Sequence, residues 1–465
     1  MTEQTLIFDK DLIRRYDRQG PRYTSYPTAV QFTDAFGNAD YCRHAAATNA
    51  AGRPAPLSLY FHIPFCATVC YYCACNKIVT KNRAHTVKYL ESLFREVERQ
   101  GALFDRSRTV EQLHWGGGTP TFLDPEQMQA LMDHTRAHFS LHGGGEGEYS
   151  IEIDPRTVDR EKVGLLRTLG FNRLSLGVQD FEPEVQKAVN RIQSEQQTLD
   201  ILDAARSAGF ESISIDLIYG LPLQTQASFD RTLDKIIGAS PDRISVFNYA
   251  HLPTMFKTQR QIDESTLPPP EVKLQILQLA IERLTAAGYV YIGMDHFAKP
   301  EDELAVAQRE GKLSRNFQGY ATHGDCDIIG LGVSAIGRVG DSYSQNERDI
   351  ESYQQRVDAE GLAVFRGVEL NADDALRRAV INQLICHFQL DFRRVEADYA
   401  IDFASHFSGE LAALRDMQRD GLLELTATGL RVLPAGRLLI RNICMVFDHY
   451  LNTATTEQSR FSKVI

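Results

Sequence analysis

The chain has 465 residues, too many for one ordinary hydrophobic core, so two or three domains are expected. Hydrophobic residues make up 43% and charged residues 24%, the balance of a globular protein, and no run approaches the roughly 18 to 20 uninterrupted apolar residues of a membrane span. With 61 acidic against 50 basic residues the net charge is −11, which argues against broad nucleic-acid binding and leaves room only for a local basic pocket.

The chain starts with MTEQTLIFDKDLIRRYDRQG, polar and charged with no apolar run, unlike a secretory signal. A cytoplasmic location is therefore expected, where thiols stay reduced and clustered cysteines favour metal. Residues 1–55 carry turn formers and aromatics without a sustained period, notably GPRYTSYPTA from Gly20 to Ala29, and read as an extended arm. From Leu57 the short β-branched or aromatic runs LSLYFHI, VEQLHW, YSIEID, RLSLGV, SISIDLIYG and RISVFNYA recur, each followed by helical spacing or capping residues. This alternation predicts parallel βα units, wound into a barrel or an open sheet, over residues 56–300.

After the first run, in YFHIPFCATVCYYCACN, Cys66, Cys70 and Cys73 stand at CxxxCxxC spacing. Thiolate is the soft donor that suits iron–sulfur clusters, and three thiols leave one iron of a four-iron cube open to a small molecule. Such an arrangement is catalytic rather than structural. Zinc would call for a second cysteine pair or two histidines at a distance, and none is visible. Cys75 could in principle close the cluster, but its closeness to Cys73 makes it a neighbour of the cluster; disulfides are a further alternative.

The helical stretches follow. Over RAHTVKYLESLFREVERQGALF, the residues Val87, Leu90, Leu93, Phe94 and Val97 share a face, with Lys and Glu opposite. Asp124, Pro125 and Glu126 predict an N-cap, an N1 proline and an acidic first turn before Met128, Leu131 and Met132. A later helix carries Phe229, Leu233, Ile236 and Ile237, with Gly238 expected to stop it. In parallel βα proteins ligands bind at the C-terminal strand ends. There lie the cysteine loop, Gly116-Gly117-Gly118-Thr119-Pro120, Glu152 with Asp154, Gln179 with Asp180, and Asp216 with Tyr219. The glycine run is expected to let backbone approach a ligand.

Residues 301–365 are expected to be a linker and active-site loop. Within them NFQGYATHGDCDIIGLGVSAIG, from Asn316 to Gly337, reads as a loop folding over a pocket, and its His323 and Cys326 as ordinary loop residues. Residues 366–465 read as mostly helical, with a strand, a turn at Ala427 to Gly429 and a second strand before a last helix. The order is winged-helix-like, and its acidic balance favours packing or substrate cover over DNA.

The three cysteines, Tyr72, GGGTPT and the strand-end acids resemble the radical S-adenosylmethionine (radical SAM) superfamily, which implies an incomplete six-stranded (β/α)6 barrel within an α/β fold. GPRYTSYPT, YFHIPFCATVCYYCACNK, HWGGGTPT, GVQDF, IDLIYGLP, VFNYAHLP, GMDHFAKP, NFQGY and GRLLIRNICMVFD together resemble the oxygen-independent coproporphyrinogen III oxidase family. The resemblance runs through nearly the whole chain.

It implies conversion of two propionates of coproporphyrinogen III to vinyl groups by a 5′-deoxyadenosyl radical, with an external electron donor and acceptor, in a monomer. It also implies one 4Fe-4S cluster on Cys66, Cys70 and Cys73, and two S-adenosylmethionine molecules. The first would meet Tyr60, Gly117, Glu152 and Ile336; the second Tyr72, Gly118, Thr119, Gln179, Arg191, Asp216 and Ala250. Cys75, Phe317 and Gln318 are expected on the catalytic side. Arg22 is a candidate for a substrate propionate, with a surface salt bridge as the competing reading. The related haem-chaperone branch generally lacks Cys75 and the RYTSYPT arm, so their presence favours the oxidase over a carrier without turnover.

Overall fold

The computed structural model describes residues 6–143 and 146–453; residues 1–5 and 454–465, at the ends of the expected arm and C-terminal region, lie outside the described residues. The chain divides into two compact units, one of Phe32–Ala280 with Asp325–Glu369, the other of Met1–Gln31, Ile281–Gly324 and Leu370–Ile465. Among the described residues no helix is long and apolar enough to cross a membrane.

In the larger unit, strands β1 (Leu57–Ile63), β2 (Thr109–Gly117), β3 (Glu148–Ile153), β4 (Arg173–Gln179), β5 (Ser212–Tyr219) and β6 (Arg243–Asn248) run parallel, in chain order. They coincide with the six runs of the sequence. Parallel neighbours need crossovers, supplied here by α1 (Ala84–Leu103), α2 (Pro125–His138), α3 (Arg160–Leu169), α4 (Glu195–Ser207) and α5 (Gln226–Ala239). Parallel strands covered on both faces usually read as continuous apolar runs. Here β3, β4 and β5 alternate: Ile151, Ile153, Leu174, Leu176, Ile215 and Leu217 are buried, each such side chain worth roughly 1.5–3 kcal/mol. Glu152, Ser175, Gln179 and Asp216, between them, are only half-buried. One sheet face is therefore core and the other carries polar chemistry.

Four sequence expectations are corrected. Val87 of α1 is 52% exposed, while Glu96, expected on the solvent side, is fully buried. Its carboxylate is satisfied by the Gly332 N–H at 2.7 Å, the Tyr353 hydroxyl at 2.7 Å and Asn346 Nδ2 at 2.6 Å. Gly238 lies inside α5, which ends one residue later; Ser240, at φ 51°, makes the left-handed stop instead. The stretch read as a loop over a pocket contributes core. Its β7 (Asp327–Leu331), buried throughout, pairs parallel to β1, and β8 (Ile336–Val339), β9 (Ser342–Asn346) and β10 (Val364–Glu369) extend the sheet antiparallel. The buried Cys326 immediately precedes β7, its thiol pushed up to about 12 by burial. Finally, the arm is not wholly extended, since Lys10–Tyr16 and the alanine-rich Asn38–Asn49 are helical, the latter with Asp40 accepting from the Gly37 N–H at 3.1 Å.

The expected cap of α2 is present: Asp124 accepts from the Gln127 N–H at 2.8 Å, and Met128, Leu131 and Met132 are buried. In the smaller unit Leu423–Leu425 and Gly429–Val432 form the expected hairpin, joined by Gln389–Asp391 into a three-stranded sheet before the helix Ile440–Val446. The Arg441 guanidinium donates to the Pro21 carbonyl at 2.9 Å, and the Tyr23 hydroxyl to Asp448 at 2.9 Å.

Candidate cluster and cofactor site

The cysteine loop leaves the C-terminal end of β1 and is held by backbone. Phe65–Cys66 pairs with Ile78–Val79, with Ile78 N–H donating to the Pro64 carbonyl at 2.7 Å and Thr80 N–H to the Cys66 carbonyl at 3.0 Å. Other loops pin its middle: Tyr71 N–H donates to the Val189 carbonyl at 3.0 Å, Asn190 Nδ2 to the Val69 carbonyl at 2.7 Å, and Gln259 Nε2 to the Tyr72 carbonyl at 3.1 Å. The loop's path is thus set by groups other than the thiols themselves.

All eight cysteines are free, which removes the disulfide reading. Cys66, Cys70 and Cys73 bring three soft sulfur donors together on one short loop, with no second cysteine pair beside the loop among the described residues, and that donor chemistry fits a three-cysteine iron–sulfur cluster. Burial pushes the Cys66 thiol up to about 11, against a contact with Thr119 Oγ1 at 3.5 Å. A hydrogen bond from Cys75 pulls the Cys73 thiol down to about 6 against burial, with help from the Lys77 ammonium. Cys75 is thereby a partner of Cys73.

The glycine run also packs against the cysteine loop. A Cβ on Gly118 would meet the Pro64 carbonyl carbon at 2.6 Å, and one on Gly117, at φ 111°, would meet the His62 ring at 2.7 Å. The glycines let the cysteine loop close onto the end of β2. Gly118 N–H donates to the Ile63 carbonyl and Thr119 N–H to that of Phe65, both at 2.8 Å.

Glu152 accepts the Gly117 N–H at 3.1 Å and meets His114 Nε2 at 3.4 Å. Burial pushes its carboxyl up, but the His114 contact and the Gly117 N–H outweigh it and hold the carboxyl below its usual range. Tyr60 stacks on His114 at 5.8 Å and shares a hydrogen bond of 3.2 Å with His62 Nδ1. Asp216, bonded by Ser175 Oγ at 3.1 Å, is pushed up to about 6 by burial. Gln179 adopts φ 69° where β4 ends. Arg191 donates to Asp154 at 3.2 Å and to the Gly177 carbonyl, while its buried Nε has no hydrogen-bond partner. Tyr72 packs against the buried cluster of Val185, Val189, Leu221, Tyr249 and Ile262, and Gln259 Nε2 also reaches the Ala250 carbonyl at 3.2 Å. Ile336 opens β8, where Gly330 gives it room: a Cβ there would stand 2.8 Å from the Ile336 carbonyl.

Phe317 and Gln318 form the turn between Ser314–Asn316 and Gly319–Ala321 in the smaller unit, where Gln318 Nε2 is buried without a hydrogen-bond partner. Arg22, in the same unit, is ion-paired with Asp295. Sequence reasoning missed His114, Arg156 and Gln259. Arg156 had a readable signal, two residues beyond the strand-end Asp154; Gln259 had none, because its role comes from two carbonyls distant in the chain.

Residues 60–236 match the family model described as the radical SAM superfamily, and residues 370–439 match the HemN C-terminal domain. The chain is 56% identical to the oxygen-independent coproporphyrinogen III oxidase of Pseudomonas aeruginosa over 99% of each chain. It is 50% identical to that of Escherichia coli over the whole of both. The solved structure of coproporphyrinogen III oxidase (HemN) from Escherichia coli, described there as a radical SAM enzyme, superposes with a TM-score of 0.91 at 49% identity, over 96% of this chain and 100% of that one.

Proposed function

The chain belongs to the oxygen-independent coproporphyrinogen III oxidase family, and we infer from that membership that it converts two propionates of coproporphyrinogen III to vinyl groups, giving protoporphyrinogen IX. The observation that carries this reading is the three-thiol loop seated on the glycine end of β2, in a chain alike end to end with the named oxidases. Cys66, Cys70 and Cys73 would hold a 4Fe-4S cluster, which would supply the electron for reductive cleavage of S-adenosylmethionine to methionine and a 5′-deoxyadenosyl radical.

The chain's own residues bind and orient. Ionised Glu152, set beside the Gly117 backbone, offers acceptors to an ammonium or ribose hydroxyl; with Tyr60, Gly117 and Ile336 it forms our proposed seat of the first S-adenosylmethionine. For the second we propose Tyr72, Gly118, Thr119, Gln179, Arg191, Asp216 and Ala250. The unpartnered Nε–H of Arg191 supports this, because a buried donor left unsatisfied calls for an acceptor. Cys75 we place beside the cluster, and Phe317 and Gln318 on the substrate side, where the unpaired amide of Gln318 favours a polar ligand. We further propose that the enzyme acts as a cytoplasmic monomer with an external electron donor and acceptor.

The test is anaerobic reconstitution with iron and sulfide, then incubation with reductant, S-adenosylmethionine and coproporphyrinogen III. Protoporphyrin and 5′-deoxyadenosine are expected together. Haem binding with neither product would overturn the reading in favour of a carrier.

A further inference from the structure

We propose, resting on the cluster reading above, that Arg156 is a positioning residue that sets the potential of the cluster through the sulfur of Cys70. Arg156 lies in the single turn Pro155–Thr157 that follows β3. Asp154 grips it twice: its Oδ1 accepts Arg156 Nε at 3.0 Å and its Oδ2 accepts Nη2 at 2.6 Å. The guanidinium is planar, so this grip fixes where its remaining N–H bonds point. Nη2 reaches Cys70 Sγ at 3.6 Å.

Arg191 arrives at the same sulfur from another loop, with Nη1 at 3.5 Å from Cys70 Sγ and 3.2 Å from Asp154 Oδ2. One carboxylate therefore stands between two guanidiniums, and a surplus positive charge is left facing a single cysteine. The side chains of Arg156, Arg191 and Asp154 are 17%, 7% and 11% exposed, so water screens that charge weakly. The other two ligand cysteines are served differently: Cys66 meets the neutral Thr119 hydroxyl, and Cys73 meets the Cys75 thiol and a single Lys77 ammonium, whereas two guanidiniums converge on Cys70.

Reduction adds one negative charge to a cluster and its thiolates. A cationic N–H donor on a ligand sulfur stabilises the reduced form more than the oxidised one, which moves the potential upward. Losing one charge-assisted donor should lower the reduced-to-oxidised ratio at a fixed potential on the order of tenfold, or about 59 mV for a one-electron couple.

The test is a redox titration of the reconstituted full-length protein, without S-adenosylmethionine, followed by electron paramagnetic resonance, with iron and sulfide counted for every sample. Wild type, Arg156→Lys and Arg156→Gln are compared. The expected order of potentials is wild type, then Lys, which keeps the charge but loses the fork, then Gln, about tenfold lower in reduced fraction. Arg156→Gln with full iron and an unchanged potential overturns the proposal, as does an equal shift in both variants. Should Arg156→Gln lose iron, Arg156→Lys decides alone: a lowered potential supports the proposal and an unchanged one sinks it. Wild-type protein that takes up no iron would instead overturn the cluster reading, a separate outcome.

Discussion

Gly118 lies so close against Pro64 that a methyl group on its Cα would stand 2.6 Å from the Pro64 carbonyl carbon. The glycine end of β2 and the start of the cysteine loop therefore fit only in the absence of a side chain. Gly118→Ala should strain this contact by roughly 1–3 kcal/mol, the usual cost of overpacking. The expected result is a reduced iron-to-protein ratio after reconstitution with the rest of the fold intact by circular dichroism.

The Cys75 thiol is bonded to Cys73 rather than serving as a fourth ligand in our assignment. Cys70→Ser should then abolish the cluster absorbance, whereas Cys75→Ser should keep the iron and lose turnover. Iron analysis beside product assay separates the two, and loss of iron in Cys75→Ser would show the ligand assignment to be wrong.

Gln259 ties the Tyr72 and Ala250 carbonyls together. Both belong to the proposed seat of the second S-adenosylmethionine. Gln259→Ala should raise KM for S-adenosylmethionine on the order of tenfold, the effect of one or two lost hydrogen bonds, with the cluster retained.

Burial raises the Glu96 carboxyl from 4.5 to about 7 against three hydrogen bonds. A carboxyl raised in the folded state stabilises fully below its unfolded value, and that contribution is lost as pH climbs from about 4.5 through about 7. At 1.36 kcal/mol per unit the loss is on the order of 3 kcal/mol. Urea unfolding midpoints of wild type should fall across this window, and Glu96→Gln should flatten the dependence. Parallel slopes in the two proteins would remove Glu96 as the cause.

The parts of this molecule that were legible in its sequence are those governed by local rules. The six runs became β1 to β6 because β-branched and aromatic residues bounded by turn formers have few other uses, and Asp124-Pro125 caps α2 by chemistry within four residues. The cysteine spacing likewise exposed the loop. What escaped depends on distant partners. Glu96 reads as a surface acid until Tyr353 and Asn346 are brought to it by β9 and the segment beyond. β7 sits within the glycine-rich stretch Asn316 to Gly337 and reads as loop, yet it gains its place by pairing with β1 from more than two hundred residues away. Asn38–Asn49 buries only Tyr41 and Ala45, so its helix leaves little apolar period to read.

The alternation along β3, β4 and β5 divides labour between neighbouring residues. Alternate positions answer to different demands, one set to cohesion of the scaffold and the other to the hydrogen-bonded polar groups of the opposite face. Replacing Ser150 or Ser175 by alanine should therefore leave the apolar face intact while freeing His114 or Asp216 from its hydroxyl partner.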